Sequence, residues 1–234
     1  MQKWATKPGP IILVATFLTF LVAFESLYFI PWAPYFLIYA ILAVIIPIYL
    51  KMYRFGKLRD LASTEIAKLF VAFLIVSFVI LFLMDLIYIV TLQSLGLINN
   101  PIYDLSAALY ILADEAALKF GITINSAIAL YGAYVVIWAP IGEELFYRGY
   151  MYKGLRERYS ITISALISSF FFGIRHMTHF LFILPDYPVF SGLYWAFHAF
   201  IFGLLMAYAY EKTDTLYVPM LIHFLINLIS VLIG

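Results

Sequence analysis

Four polar side chains that can move a proton or bind an oxyanion lie within apolar stretches of the second half of the chain. They are Glu143, His176, His223 and Asn227. A glutamate paired with a histidine can take a proton from water, and the water then attacks a carbonyl carbon. A second histidine and a carboxamide can donate hydrogen bonds to the oxyanion of the tetrahedral intermediate. These residue types therefore predict a hydrolytic reaction at a carbonyl group.

Helical spacing gives the two adjacent glutamates different roles. Residues four apart share a helix face, whereas adjacent residues point about 100° apart. Glu144 can therefore pair with Arg148, while Glu143 faces another direction and has no cation on its own helix. His223 and Asn227 are also four apart, so both lie on one face. We predict that Glu143 is the general base and that Glu144 and Arg148 form a supporting pair.

A divalent metal is the alternative use of the same side chains. Glu143, His176 and His223 resemble a zinc set of two histidines and one carboxylate with water at the open position. The spacing His-x-x-x-Asn differs from the zinc-protease signature His-Glu-x-x-His, and a neutral asparagine is a poor zinc ligand. We favour a water mechanism without a cofactor, and zinc held by these three residues stays open.

The composition indicates that these residues lie in a membrane. Of the 234 residues, 65% are hydrophobic and 12% are charged. A soluble domain is about half apolar and about a quarter charged, so this chain has too little polar surface to cover a water-soluble globule. The net charge of +1 argues against a polybasic nucleic-acid surface, and we expect no nucleic-acid partner. Because cysteine is absent, disulfides and thiolate sites are excluded.

Seven apolar stretches are long enough to cross a bilayer, for which a helix needs roughly 20 residues. They are Pro10–Ile30, Pro31–Leu50, Ile66–Leu92, Ile122 to about Lys153, Ile161–Leu184, Val189–Tyr210 and Leu216–Ile233. The stretch Pro101–Gly121 contains three acidic residues and a lysine, and it predicts an interfacial or re-entrant helix. We therefore predict an all-α, polytopic transmembrane bundle. It forms one domain over residues 1–234, with supporting spans in 1–100 and catalytic helices in 122–234.

The positions of the basic residues predict the orientation. Seven spans with a cytoplasmic N-terminus put every lysine and arginine on or near the cytoplasmic side, except Lys119 and Arg175. Positive charge is enriched in cytoplasmic loops of membrane proteins. We therefore expect a multi-pass protein with a cytoplasmic N-terminus and membrane lipids as partners. Its location would be a prokaryotic cell membrane or the endoplasmic reticulum membrane.

Three motifs follow one another on successive predicted helices. They are Glu143-Glu144-x-x-x-Arg148, Phe172-x-x-x-His176 and His223-x-x-x-Asn227. In this order they resemble the CPBP intramembrane protease family, which includes the type II CAAX prenyl endopeptidase and bacteriocin-processing and self-immunity proteins. The segments Phe200–Gly203 and Tyr210–Thr213 look similar to a weaker motif of that family. The resemblance covers roughly residues 130–230.

The resemblance implies an intramembrane endopeptidase. Carried over by position, Glu143 and His176 would activate the water, while His223 and Asn227 would form the oxyanion hole. The glutamate–arginine pair of the first motif would hold the site. In CAAX members the substrate is a prenylated C-terminal tail cut on the cytosolic side, which implies a peptide or protein substrate, prenylated if the CAAX likeness holds. Members are described both as glutamate-dependent and as metalloproteases, so the resemblance leaves the metal open.

Other interpretations of these residues stay open in the sequence. A proton-coupled transporter would use the same intramembrane carboxylates, although the chain shows one broken helix, at Pro140–Gly142, rather than a matched pair. Polar residues in membranes also act as contacts between helices. Arg175 either borders the site or pairs with Asp85. His179 and His198 are predicted to serve packing or interfacial hydrogen bonding.

Overall fold

The structure is a computed structural model, and the part of the chain that it describes is helical. It describes residues 7–28, 37–49, 55–56, 61–97, 113–114, 117–118, 121–178 and 189–233. Within these residues there are seven helices of ten residues or more, and no strand. They are α1 (Pro8–Tyr28), α2 (Leu37–Tyr49), α3 (Thr64–Ser94), α4 (Ile124–Arg156), α5 (Ile161–Thr178), α6 (Val189–Thr213) and α7 (Tyr217–Ile233).

This architecture confirms the predicted all-α membrane bundle. Among the described residues, α3, α4 and α6 are long and apolar enough to cross a bilayer, and α1, α5 and α7 contain shorter apolar helices. The bounds of α1, α3, α4, α6 and α7 agree with the predicted spans to within a few residues. Most of the predicted interfacial segment Pro101–Gly121 lies outside the described residues, as do the start of the second predicted span and the end of the fifth.

Contacts between helix ends place three predicted cytoplasmic connections at the same end of the bundle. Thr215, between α6 and α7, donates a hydrogen bond to the carbonyl of Phe55, between α2 and α3. Arg156, at the end of α4, donates to both carboxylate oxygens of Glu211 in α6, at 3.1 and 3.3 Å. The Tyr152 hydroxyl donates to the same carboxylate at 2.7 Å. When successive helices alternate in direction, the connections that follow α2, α4 and α6 must all lie at the same end of the bundle.

α3 presents an apolar face outwards. Its exposed side chains include Ile75, Phe82 and Ile87. A helix that exposes so many apolar side chains in a folded protein is suited to contact with lipid rather than water. On its other side, the Tyr88 ring stacks on Tyr194 of α6, with ring centroids 4.0 Å apart. α3 therefore lies at the periphery and supports α6.

α5 and α6 approach closely because glycines lie at their contact. A Cβ atom on Gly173 would lie 2.6 Å from the Ala196 carbonyl oxygen, and one on Gly203 would lie 3.0 Å from the Ser169 Cβ. The first distance is shorter than any normal contact and the second is tighter than most. Small residues allow this close approach between membrane helices. As a consequence, the backbone of α6 comes within reach of side chains from α4.

α4 is continuous, so the predicted break at Pro140–Gly142 is wrong: the helix instead changes its hydrogen-bond register around the two glutamates. Its π-helical segments are Tyr134–Trp138 and Glu144–Tyr152, on either side of the α-helical Ala139–Glu143. The Ala139 N–H bonds to the Tyr134 carbonyl, five residues back. One residue further on, the same spacing would pair the N–H of residue 140 with the Val135 carbonyl. Residue 140 is a proline and has no N–H. The Val135 carbonyl therefore loses its donor within the helix.

Candidate active site

Glu143 lies on α4 between two other helices, and only 3% of its surface is exposed. One carboxylate oxygen, Oε1, is 3.0 Å from Nη1 of Arg175 on α5. The other, Oε2, is 3.8 Å from Nε2 of His223 on α7. Sequence spacing finds no cation for Glu143 on its own helix, and the structure supplies one from the neighbouring helix. The proposed general base therefore faces a guanidinium on one side and an imidazole on the other.

Glu144 forms the ion pair that helical spacing predicts. Its Oε1 atom accepts a hydrogen bond from Arg148 Nη1 at 3.0 Å, and both side chains are fully buried. The same oxygen lies 2.9 Å from Nδ1 of His223. Arg148 also donates to the Gly203 carbonyl at 3.0 Å, and its guanidinium lies 4.7 Å from the centre of the Phe172 ring. This pair therefore links α4 to α5, α6 and α7.

The contacts of the two histidines assign their tautomers. Nδ1 of His176 lies 2.7 Å from the Phe172 carbonyl, which can only accept, so Nδ1 carries the proton. Nδ1 of His223 faces the Glu144 carboxylate in the same way. Both Nε2 atoms are then acceptors in the neutral rings. The Phe172 ring packs edge-on against both imidazoles, with centroids 4.6 and 6.0 Å away, and holds their orientations.

Asn227 uses part of its hydrogen-bonding capacity on the backbone of α4. Its Nδ2 atom donates to the Val135 carbonyl at 2.8 Å. This is the carbonyl that loses its helical donor because residue 140 is proline. A carboxamide has two N–H donors, so one remains for another acceptor. The residue predicted to form the oxyanion hole therefore also fixes α7 against the interrupted turn of α4.

We expect the stability role of Asn227 to depend on Pro140. Asn227→Leu should lower the free energy of unfolding by about 1–3 kcal/mol, because the Val135 carbonyl loses its donor. In a Pro140→Ala background the backbone N–H at position 140 can replace that donor, so the same substitution should cost less. Unfolding in detergent of the four proteins of this double-mutant cycle measures the difference. Ser230→Ala on the same helix is the control, and an equal cost in both backgrounds would contradict the assignment.

Arg175 is the site residue that the sequence leaves undecided. Its Nη1 atom lies 3.0 Å from Glu143 Oε1 and 3.4 Å from His176 Nε2. The alternative pairing with Asp85 is wrong, because Asp85 accepts a hydrogen bond from Tyr194 and lies 3.6 Å from His198 on α6. An arginine next to a predicted site histidine, inside an apolar stretch, is the signal in the sequence that points to this role.

Of the two remaining histidines, the structure describes His198, which stays apart from this group. His198 contacts Asp85 and stacks on Trp195, with ring centroids 6.2 Å apart, which agrees with the predicted packing role. His179 lies outside the described residues.

The arrangement does not fit the alternative zinc site. Within the part of the chain that the structure describes, no three histidine or acidic side chains are grouped closely enough to hold a metal ion. The tautomers alone would suit zinc, since both Nε2 atoms are acceptors and both Nδ1 atoms are held by oxygens. The guanidinium of Arg175, however, contacts both Glu143 and His176. A cation already occupies the position between two of the three proposed ligands.

Comparison with known protein families identifies the region that contains these residues. Residues 125–229 match the family model described as Type II CAAX prenyl endopeptidase Rce1-like. This match supports the CPBP family for residues 125–229. No curated protein and no solved structure matches the chain. The CPBP region extends from α4 through most of α7 and includes all the predicted site residues. The family suggests a protease embedded in a membrane.

Proposed function

We propose that the chain is an intramembrane endopeptidase that hydrolyses a peptide bond with a water molecule activated by Glu143. The observation that carries this proposal is the environment of Glu143. One oxygen of its buried carboxylate forms an ion pair with Arg175. The other oxygen lies 3.8 Å from Nε2 of His223, which can accept a hydrogen bond. A water that contacts both Oε2 and that nitrogen would be oriented and polarised for attack.

The proposed reaction uses a carboxylate that first accepts and then returns a proton. Glu143 takes a proton from water while the water oxygen bonds to the carbonyl carbon, and negative charge develops on the carbonyl oxygen. The amide N–H of Asn227 that does not bond to Val135 is a donor for this oxyanion. The C–N bond then breaks, and Glu143 gives its proton to the leaving amine.

We propose prenylated C-terminal CAAX tails as the first substrate class to test. The family that matches is described as a CAAX prenyl endopeptidase. A prenyl chain partitions into the bilayer and brings the attached peptide to the membrane surface. The end of the bundle that contains the Arg156–Glu211 contact is rich in basic residues, including Lys153, Arg158 and Lys212. By the positive-inside rule this end is cytosolic, which suits a cytosolic tail as substrate.

Cleavage by the reconstituted protein tests the proposal. The purified protein in liposomes is given a farnesylated CAAX peptide and a library of membrane peptides, beside Glu143→Ala and His223→Ala. We expect the unmodified protein to cleave and both variants to lose cleavage, while Ser230→Ala cleaves normally. Because the proposed chemistry uses no metal, an excess of phenanthroline should leave the rate unchanged. Equal cleavage by all proteins would remove the assignment, and Glu143-dependent proton flux without cleavage would support a transporter.

A further inference from the structure

We propose that Thr215 is a positioning residue, which holds the start of α7 on the connection between α2 and α3 and thereby sets where His223 and Asn227 lie. This inference rests on the proposed function, because those two residues belong to the same site. Thr215 lies between α6 and α7, and only 2% of its surface is exposed. Its partner, Phe55, lies outside the family match over residues 125–229. The first half of the chain thus contributes to the arrangement of the site.

The hydroxyl group of Thr215 joins two segments of the chain. Its Oγ1 atom donates a hydrogen bond to the Phe55 carbonyl. The same atom accepts a hydrogen bond from the Tyr217 N–H at 3.3 Å. Tyr217 is the first residue of α7, and the first N–H groups of a helix have no partner within it. Because a threonine hydroxyl can donate and accept at once, one side chain caps α7 and binds it to the α2–α3 connection.

Glycine at position 56 allows this contact. Gly56 has a φ of +73°, in the left-handed region that residues with a Cβ atom rarely adopt. A Cβ atom there would also lie 2.7 Å from Thr215 Oγ1 and 2.8 Å from Thr215 Cβ. Any other residue at this position would therefore push the two connections apart. The contact thus has a second requirement, on the other segment, that a substitution can remove independently.

The ring of Phe55 extends the contact towards the site. It packs against an apolar cluster that includes Leu145 of α4 and Met220 of α7. Leu145 directly follows Glu144, and Met220 lies about one turn before His223. In the site, Glu144 Oε1 and His223 Nδ1 are 2.9 Å apart. The ring therefore packs on the same parts of α4 and α7 that bring these two side chains together.

α7 is attached at two points, and His223 lies between them. One point is Thr215, and the other is Asn227, which donates to the Val135 carbonyl of α4 at 2.8 Å. Residues of one helix move together, because backbone hydrogen bonds join each turn to the next. A shift at the start of α7 would therefore displace His223 and Asn227 from their partners. Since a displacement of about 1 Å can cost about 10²-fold in rate, the contact at Thr215 matters for the reaction.

Three substitutions test the contact. Thr215→Val keeps the shape of the side chain but removes the hydroxyl, Thr215→Ser keeps the hydroxyl, and Gly56→Ala displaces the α2–α3 connection. For Thr215→Val and Gly56→Ala in liposomes, we expect kcat per folded protein to fall by about 10–100-fold while KM changes little. Thr215→Ser should restore most of the activity. The two damaging substitutions together should cost no more than the worse of them alone, since both break the same contact.

Thr91→Val is the matched control for loss of a threonine hydroxyl. The Thr91 hydroxyl donates to the Ile87 carbonyl of its own helix at 2.8 Å, rather than to another segment. The same change of side chain should therefore leave kcat unchanged.

Spin labels measure the position of α7 without reference to activity. The sequence contains no cysteine, so labels attached to Leu166→Cys on α5 and Leu221→Cys on α7, both at exposed positions, are the only two in the protein. The distribution of distances between them should shift or broaden in Thr215→Val and Gly56→Ala. It should match that of the unmodified protein in Thr215→Ser and Thr91→Val. If Thr215→Val does not fold, Thr215→Ala is measured in its place.

The outcomes distinguish this inference from the proposed function. A Thr215→Val protein that keeps a normal kcat, or that loses activity with unchanged label distances, would overturn the role of Thr215. Equal loss of kcat in Thr215→Val and Thr215→Ser would also overturn it, because the hydroxyl would then not be responsible. If the unmodified protein cleaves nothing, the proposed function fails, while the label distances still decide whether Thr215 and Gly56 hold α7 in position.

Discussion

We expect Glu143→Gln to lower kcat for peptide cleavage by about 10²–10⁴-fold, the usual contribution of a general base. Glutamine has nearly the shape of glutamate, and its carbonyl oxygen can still accept the hydrogen bond from Arg175, but it cannot take a proton from water. The loss should therefore appear in kcat more than in KM, since the contacts that bind the peptide remain. Cleavage kinetics in liposomes at saturating peptide measure it, with thermal unfolding of the same preparation as the check on folding.

Glu143→Asp is the matched variant for this prediction. Aspartate keeps the charge but withdraws both oxygens by one methylene group, so contacts with Arg175 and His223 cannot both persist. Small displacements of a catalytic group cost about 10²-fold in rate. We expect an activity between those of the unmodified protein and Glu143→Gln. A glutamine variant that keeps more than about a tenth of the normal kcat would contradict the assignment of Glu143 as general base.

We expect Arg148→Met to lower the free energy of unfolding by about 3–5 kcal/mol, the usual cost of removing one partner from a buried ion pair. The substitution removes hydrogen bonds to Glu144 and to the Gly203 carbonyl, and the contact with the Phe172 ring. It also leaves the fully buried Glu144 without this cation. Unfolding in detergent, followed by circular dichroism, measures the loss.

The double variant Glu144→Gln with Arg148→Met separates stability from activity. Replacement of both partners of a buried pair often costs little, so we expect much of the lost stability to return. Activity should not return, because His223 loses the charged oxygen that holds its Nδ1–H. Arg148→Lys should remain less stable than the unmodified protein, since lysine cannot reproduce the planar, forked contact. A double variant that regains full activity would show that Glu144 does not orient His223.

Local sequence relations were enough to predict several features. The lengths of the apolar stretches predicted helices whose bounds α1, α3, α4, α6 and α7 match to within a few residues. The Glu144–Arg148 pair followed from residues four apart on one helix, and the structure contains it at 3.0 Å. The missing N–H of Pro140 was also evident from the sequence, but α4 does not break there and changes its hydrogen-bond register instead. All these features arise within one helix.

Contacts between helices needed the tertiary structure. The partner of Glu143 is Arg175, 32 positions along the chain and on another helix, where the sequence left a choice between the site and Asp85. The contact between Asn227 and the Val135 carbonyl likewise joins the first and last helices of the CPBP region. Such pairs depend on how each helix is rotated and how closely it packs. No spacing within a single helix contains that information.

The sequence by itself therefore determined that the protein is a bundle of apolar helices, and which polar side chains those helices carry. The tertiary structure decided which of these side chains meet: Arg175 contacts Glu143, His223 contacts Glu144, and Asn227 donates to the Val135 carbonyl. The physical reason is that hydropathy and helical periodicity act over a few residues. The approach of α5 to α6 through Gly173 and Gly203, by contrast, is set by the packing of whole helices.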